Sequence, residues 1–219
     1  MQELLHTDYK IQTLLGTSVF FQALKDDHLL GNIPEVCTTD EESLSRAGHL
    51  QTNNTALAIV EQPKNPALSN DKAGYTLVLD NVSDPGNLGT ILRIADWYGI
   101  QHIVCSPKTT DVYNPKVISA SMGSFLRVYA HYTDLEGYLS TSDKTIYGAC
   151  VGEGGSVHNT DFKPSGILLM GSESHGVSSS LEQYIHQKVT IPSYGKAESL
   201  NVSISTGIIC DNILRYIGK

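Results

Sequence analysis

Polar residues follow three apolar runs of this sequence, at the points where each run ends. The first run ends in Asp80 and Asn81, and a turn that contains proline and glycine then leads into an amphipathic stretch. Segments 167–176 and 190–210 repeat this layout. A strand end, a polar turn and a helix N-terminus together form a natural site for an anion or a ribose at the carboxyl edge of a sheet. We therefore predict one site that is built from three loops.

From residue 75 onward, short apolar runs alternate with amphipathic stretches. Apolar side chains of the first such stretch recur at Leu88, Ile91, Leu92 and Ala95, which is the spacing of one helix face. The alternation favours an α/β domain with a mostly parallel sheet and helices on both faces. The predicted strands are 75–79, 102–105, 145–149, 167–170 and 188–191. The predicted helices are 87–98, 114–122, 134–139, 178–185 and 202–216.

The first part of the chain has a different character. Ile11, Leu14, Leu15 and Val19 share one side of a helix that we predict over 9–30. Short strands are expected at 34–36 and 56–60, and Thr39 or Asp40 is a candidate cap for a helix that runs through Leu44.

Segment 62–74 indicates where this first part ends. It holds two prolines, two asparagines and a glycine within 13 residues, which is typical of a linker. We predict a small α+β domain over 1–70 and an α/β domain over 71–219.

The overall charge does not suggest a nucleic-acid partner. The formal net charge is −8 at pH 7, whereas proteins that bind nucleic acids normally carry a basic surface. Local fields matter more than net charge, so a narrow basic strip would still permit RNA binding. Lys108, Lys116 and Arg127 are candidates for phosphate contacts, although solvated surface charge is the favoured interpretation of each one singly.

Several common function classes are excluded because their motifs are absent. The sequence has neither GxGxxG after the first predicted strand nor GxxxxGK[ST], and GSESHG has glutamate where a nucleophile elbow has serine. It also lacks HExxH and a carboxylate cluster, and its four cysteines are far apart. We expect no metal. Because no apolar run approaches the ~18 residues that span a bilayer, and no signal-peptide pattern opens the chain, we expect a soluble cytoplasmic protein without membrane contact.

The motifs that the chain does carry are three segments, in the order DNVSDPGNLGTILRIADWYGI, LLMGSESHGV and VTIPSYGKAESLNVSISTGIICDNILR. Together they resemble the successive motifs of the SpoU-type (TrmH-like) RNA 2′-O-ribose methyltransferases of the SPOUT superfamily. The resemblance covers residues 75–219. It implies a C-terminal trefoil knot, S-adenosylmethionine held in the knotted segment, and a homodimer formed through the first and last helices of the domain. Sequence rules alone would not predict a knot, since knots are nearly absent from proteins.

The resemblance also implies an active centre that contains Asn81, Arg93, Glu173 and Asn201. The resemblance implies that the arginine assists deprotonation of the ribose hydroxyl, together with a substrate phosphate. Arginine is a weak base, so phosphate anchoring is the safer role for Arg93. A carboxylate at Glu173 is suited to orient Arg93 by a bidentate pair.

The cofactor-binding residues that the resemblance implies are Gly171, Ile191, Ser199 and Leu200. Asn201 belongs to the same third motif, and Ser199 and Asn201 are also good helix N-caps. Ser172 and Ser174 depart from the family, where asparagine and glycine are common.

Many relatives carry a leading domain similar to ribosomal protein L30e that recognises RNA. The segment TALAIVEQP resembles the closing strand of such a domain, so residues 1–70 are interpreted as a reduced or truncated version. This favours ribosomal RNA over transfer RNA as the substrate.

Two alternatives to ribose methylation stay open. The first is a non-catalytic RNA-binding or ribosome-assembly protein that keeps the fold. The second, which ranks last, is an enzyme that methylates a base. The wide apolar arc of predicted helix 202–216 is explained equally well by a second subunit or by burial within one chain.

Overall fold

The computed structural model describes residues 1–24, 27–48, 52–68 and 74–218. They fall into two units, 1–64 and 65–219, each with its own core. The predicted domain boundary at residue 70 lies within 69–73, outside the described residues.

The first unit is built around a three-stranded sheet with strand order β2-β1-β3. β1 pairs in parallel with β2 and antiparallel with β3. Its helices and strands are α1 (Gln2–Leu5), β1 (Ile11–Gly16), α2 (Ser18–Ala23), β2 (Glu35–Thr38), α3 (Glu41–Ala47) and β3 (Ala56–Val60). The side chain of Asp40 accepts a hydrogen bond from Ser43 N (2.8 Å) and caps α3, which confirms the predicted cap.

The predicted helix over 9–30 is wrong. Residues 11–16 form the central strand of the small sheet, and a helix begins only at Ser18, after Thr17 caps it. A β-bulge shifts the pairing register between Ile11 and Thr13, so Ile11 and Leu14 are both buried although they lie three residues apart. The bulge therefore produces the spacing of a helix face within a strand. Residues 25–26 of the predicted helix lie outside the described part of the chain.

The second unit has a seven-stranded sheet in which every pairing is parallel, with strand order β6-β5-β4-β9-β7-β10-β8. Its strands are β4 (Gly74–Leu79), β5 (His102–Cys105), β6 (Tyr129–Tyr132), β7 (Ile146–Ala149), β8 (Gly155–Ser156), β9 (Ser165–Met170) and β10 (Gln187–Thr190). The predicted α/β fold with a mostly parallel sheet is confirmed. β6 and β8 were not predicted, because one is a partly exposed edge strand and the other has two residues.

Helices cover both faces of this sheet, as predicted. They are α4 (Pro85–Trp97), α5 (Pro115–Ser121), α6 (Leu135–Ser140), α7 (Ser179–Glu182) and α8 (Val202–Tyr216), and short 3-10 turns lie at Ser124–Leu126 and Val157–Asn159. Leu77 and Leu79 pack with α4 and α8, whereas Val78 packs with α6 and α7. Burial on both faces explains why the strands read as apolar runs in the sequence. Among the described residues, no helix combines the length and the apolar character needed to cross a membrane.

The crossing of α4 and α5 depends on Gly89. A Cβ atom at this position would lie 2.6 Å from the Ala120 Cβ and 2.8 Å from the Val117 carbonyl oxygen. Such distances require α4 and α5 to separate. The packing free energy lost on separation exceeds the gain of ~1 kcal/mol from the better helix propensity of alanine.

We therefore expect Gly89→Ala to lower the free energy of unfolding in urea by about 1–3 kcal/mol. Gly207→Ala in α8 is the matched control, because its Cβ would lie 3.5 Å from the Ile94 Cδ1, an ordinary contact. The control should leave stability unchanged or raise it by up to ~1 kcal/mol. Equal effects of the two substitutions would show that the α4–α5 crossing does not constrain residue 89.

Candidate active site

The ends of three parallel strands bring the three sequence motifs together. Leu79 at the end of β4 is paired with Met170 at the end of β9, and β10 runs in the same direction two strands further along the sheet. The carboxyl ends of parallel strands meet at one edge, so the loops that follow β4, β9 and β10 can form one site.

Three side chains from these loops form a closed hydrogen-bonded group. Glu173 Oε1 accepts hydrogen bonds from Asn87 Nδ2 (2.8 Å) and Asn201 Nδ2 (2.7 Å). Asn201 Nδ2 also donates to Asn87 Oδ1 (2.9 Å). Each of the three motifs thus supplies one member, and we call Asn87, Glu173 and Asn201 the carboxamide–carboxylate triad.

Asn87 was missed by the sequence analysis. It lies in the first turn of α4 and is only 8% exposed, next to the fully buried Leu88. A polar residue beside the apolar stripe of a helix was the available signal, because buried amides require hydrogen-bond partners.

Helix caps hold both asparagines in position. Asp84 caps α4 by accepting from Asn87 N (2.8 Å), and Pro85 occupies the first turn, where its missing N–H costs nothing. Asn201 caps α8 with Oδ1, which accepts from Ser203 N (3.0 Å) and Ile204 N (3.3 Å). The predicted capping role of Asn201 is confirmed, and its amide nitrogen reaches the triad at the same time.

Glu173 is carried by a tight loop between β9 and α7. Ser172 and Gly176 exchange two backbone hydrogen bonds of 2.9 Å, which close the loop beneath Glu173. A Cβ at position 171 would lie 2.0 Å from the Gly176 carbonyl carbon, and Gly176 has a φ of 67°. Only glycine allows this close approach and this left-handed conformation without strain.

Asn81 lies near the triad in sequence but bonds elsewhere. It has a φ of 57°, its backbone N donates to Ser106 Oγ (2.9 Å), and its Nδ2 donates to Ser178 Oγ (3.4 Å). Within residues 74–218, Asn87 and not Asn81 is the motif-one asparagine that contacts Glu173.

Arg93 is exposed on α4, six residues after Asn87. In the part of the chain that the structure describes, no hydrogen bond or ion pair joins it to another residue. The expected bidentate pair between Arg93 and Glu173 is therefore not formed within the described part of this chain, where Glu173 Oε1 instead accepts hydrogen bonds from two amides.

A cavity of about 400 Å³ lies beside the triad. Gly171, Ile191, Ser199 and Leu200, the four predicted cofactor-binding residues, all line it, and so does Glu173. Its volume is within the range of about 300–1,000 Å³ that is typical of small-molecule sites.

Several charged groups elsewhere in the second unit have defined partners. Hydrogen bonds from Arg127 hold the pKa of Asp96 below its ordinary value, and the two form an ion pair of 2.7 Å. Lys188 pairs with Glu153 and Glu182. Cys150 lines the cavity. Burial raises the pKa of its thiol, so the thiol is neutral near pH 7. Among the described residues, no three His, Cys, Asp or Glu side chains form a group that could hold a metal ion.

Known proteins share these motifs and this fold. The SpoU rRNA Methylase family model matches residues 74–211. The 23S rRNA (guanosine(2553)-2′-O)-methyltransferase RlmP of Bacillus subtilis is 29% identical over 172 residues, which are 77% of this chain and 68% of that protein. The 23S rRNA (guanosine-2′-O-)-methyltransferase RlmB of Ralstonia nicotianae is 35% identical over 137 residues, 60% of this chain and 55% of that protein.

Two solved structures are similar over nearly the whole chain. The structure of a TrmH-family protein from Porphyromonas gingivalis has a TM-score of 0.83 at 35% identity, covering 97% of this chain and 85% of that one. The AdoMet-bound rRNA methyltransferase from Sinorhizobium meliloti also has a TM-score of 0.83, at 28% identity, covering 100% of this chain and 84% of that one.

The two functions of the Asn201 side chain can be separated by substitution. Serine at position 201 keeps an oxygen that caps α8, whereas alanine does not, and both remove the amide that contacts Glu173. We expect Asn201→Ala to be less stable than Asn201→Ser by about 1 kcal/mol in urea unfolding followed by circular dichroism. Equal stability of the two variants would show that Asn201 does not cap the helix.

Proposed function

The chain belongs to the SpoU rRNA methylase family, and from this membership we propose that it transfers a methyl group from S-adenosylmethionine to a ribose 2′-hydroxyl of structured RNA. Ribosomal RNA is the preferred substrate, because RlmP and RlmB are named as 23S rRNA 2′-O-methyltransferases. The observation that carries the proposal is the triad, with Glu173 fixed by two amides beside a cavity of cofactor size.

The cavity is suited to the cofactor in its walls as well as its size. Met170, Ile191 and Leu200 supply apolar surface, and the carboxylates of Glu173 and Glu198 also line the cavity. A sulfonium carries a positive charge, which nearby carboxylates stabilise. When bound, S-adenosylmethionine supplies the methyl group and a good leaving group. The AdoMet-bound relative from Sinorhizobium meliloti supports this assignment.

Glu173 is proposed to orient the ribose. Its Oε1 accepts both amides of the triad, and within residues 74–218 no hydrogen bond involves its Oε2. A ribose hydroxyl is a poor nucleophile that must lose its proton as it attacks a methyl group. Glu173 Oε2 is placed to accept the hydrogen bond of that hydroxyl and then its proton, while a lone pair of the hydroxyl oxygen attacks the methyl carbon.

Arg93 is proposed to anchor a phosphate of the RNA. Its guanidinium is exposed, has no partner among the described residues, and lies on the helix that also carries Asn87. A planar guanidinium recognises phosphate through two parallel hydrogen bonds. The same contact would bring the adjacent ribose to the triad.

We also propose a homodimer and a knotted C-terminal segment. Trp97 at the end of α4 is 84% exposed, and Ile204 and Tyr216 on the adjacent α8 are also exposed, which leaves apolar surface that a second copy can cover. The placement of β9 between β4 and β7 is compatible with a trefoil knot, which membership of the family favours. Residues 1–70 are proposed to recognise the RNA as an L30e-like domain, and the cytoplasm, where bacterial ribosomal RNA is modified, is the proposed location.

Cofactor binding is tested by calorimetric titration with S-adenosylmethionine. We expect binding at micromolar strength, and Leu200→Arg should weaken it at least tenfold because a long charged side chain enters the apolar wall of the cavity. Ile59→Arg is the matched control, an exposed apolar residue of the first unit that receives the same side chain. A folded protein that binds no cofactor, with or without total RNA present, would favour the non-catalytic alternative.

The role of Arg93 is tested by turnover on ribosomal RNA, with the methylated nucleosides identified by mass spectrometry. Arg93→Ala should lower kcat/KM for RNA at least 100-fold while cofactor affinity stays within about threefold, a loss of ~3 kcal/mol in transition-state stabilisation. Arg93→Lys should recover only part of the lost activity, since lysine keeps the positive charge but lacks the two parallel N–H donors of the guanidinium. Lys163→Ala, at another exposed cation, is the control. A base-methylated nucleoside would contradict ribose methylation.

A further inference from the structure

The buried residue Asp80 contacts both ends of the loop that carries Glu173, one end through its backbone N–H and the other through its carboxylate. Met170, the last residue before this loop, accepts a hydrogen bond at its carbonyl oxygen from Asp80 N (2.9 Å). Ser178, the first residue after it, donates its backbone N–H to Asp80 Oδ2 (2.7 Å). One residue at the end of β4 therefore closes the base of loop 171–177.

Neither water nor another group of the protein can easily take over the hydrogen bond that the Asp80 carboxylate accepts. Asp80 is only 3% exposed, so water cannot replace its carboxylate without a cavity. The Ser178 N–H is the first donor at the start of α7, where helix N–H groups have no intrahelical partners. Hydrogen bonds to a carboxylate are about twice as strong as those between neutral groups.

The tip of loop 171–177, opposite the base held by Asp80, carries the contacts of Glu173. Ser172 and Gly176 pair with each other, and Glu173 then reaches Asn87 on α4 and Asn201 on α8. The loop meets the rest of the unit at its base through Asp80 and at its tip through the triad. Loss of the base contact would let the Glu173 carboxylate move relative to helices that are themselves fixed by their caps.

We infer that Asp80 is a positioning residue for methyl transfer, which holds Glu173 in the triad by closing the base of loop 171–177. This inference rests on the proposed function for its catalytic consequence but not for its structural one. It requires a hydrogen-bond acceptor at residue 80 and an N–H donor at residue 178, and it does not require the negative charge or the Ser178 hydroxyl.

Two pairs of variants separate these requirements. Asp80→Ala removes the acceptor and Asp80→Asn keeps one. Ser178→Pro removes the donor at a φ of −59°, which proline adopts without strain, and Ser178→Ala keeps it while removing a hydroxyl that does not cap α7. Val128→Ala, which shortens a buried side chain near β6 on the far side of β5, is the control for general loss of stability.

Turnover at saturating cofactor and RNA is the first measurement. Asp80→Ala and Ser178→Pro should lower kcat at least tenfold, whereas Asp80→Asn, Ser178→Ala and Val128→Ala should stay within about threefold of the unsubstituted chain. If Asp80→Ala does not fold, the Ser178 pair decides. Equal activity within either pair would overturn the inference.

Hydrogen exchange of peptides that cover 171–178 is the second measurement, and it does not depend on activity. Exchange should become at least tenfold faster in Asp80→Ala and Ser178→Pro relative to peptides from β4, and stay unchanged in the conservative variants. If the unsubstituted chain methylates no RNA, the proposed function fails, and the exchange result still decides the anchoring role of Asp80. Unchanged exchange in Asp80→Ala would contradict it.

Discussion

One carboxylate oxygen connects parts of the chain that are far apart in sequence. Glu173 Oε1 accepts from Asn87, 86 positions away, and from Asn201, 28 positions away. Each bond at such a partly exposed site contributes only ~1 kcal/mol, so the triad adds little to global stability. Its effect is geometric, because it fixes the relative positions of two helix starts and one loop. The surrounding sheet must therefore place three loop ends within hydrogen-bonding distance before the triad can form.

Burial on both faces of the parallel sheet meets that requirement. β4 and β9 contribute alternate side chains to the two cores, and neither strand can slip by one residue without exchanging them. The register that this fixes sets where each strand ends, and hence where Asp80, Gly171 and the third loop begin. Caps then fix the helices at the same edge, with Asp84 for α4 and Asn201 for α8.

Burial on both faces of the sheet is also the reason that the sequence predicts the second unit well. Strands buried on both faces are continuous apolar runs, and capped amphipathic helices have a clear period, so local patterns carry most of the fold. The helix predicted over 9–30 failed because a bulge gave β1 the spacing of a helix face. Asn87 was missed, and the pairing of Arg93 with Glu173 was expected although it is not formed within the described residues, because side-chain partners across 80 or more positions leave no local pattern. The resemblance to a family indicated which loops meet, whereas hydrogen-bonding geometry was needed to assign the contacts within them.

The charge distribution limits how such a chain can recognise RNA. Residues 1–64 contain nine acidic and four basic residues, and in the second unit Arg127 and Lys188 are already paired with carboxylates. Non-specific RNA affinity depends mainly on basic groups that neutralise phosphates and release counterions. A chain whose formal net charge is −8 gains little from that source, so each phosphate contact near the triad must account for a large share of the total. With the roles proposed for Arg93 and Glu173, recognition would then depend on the shape of a folded RNA that brings one phosphate to Arg93 and the neighbouring ribose to Glu173.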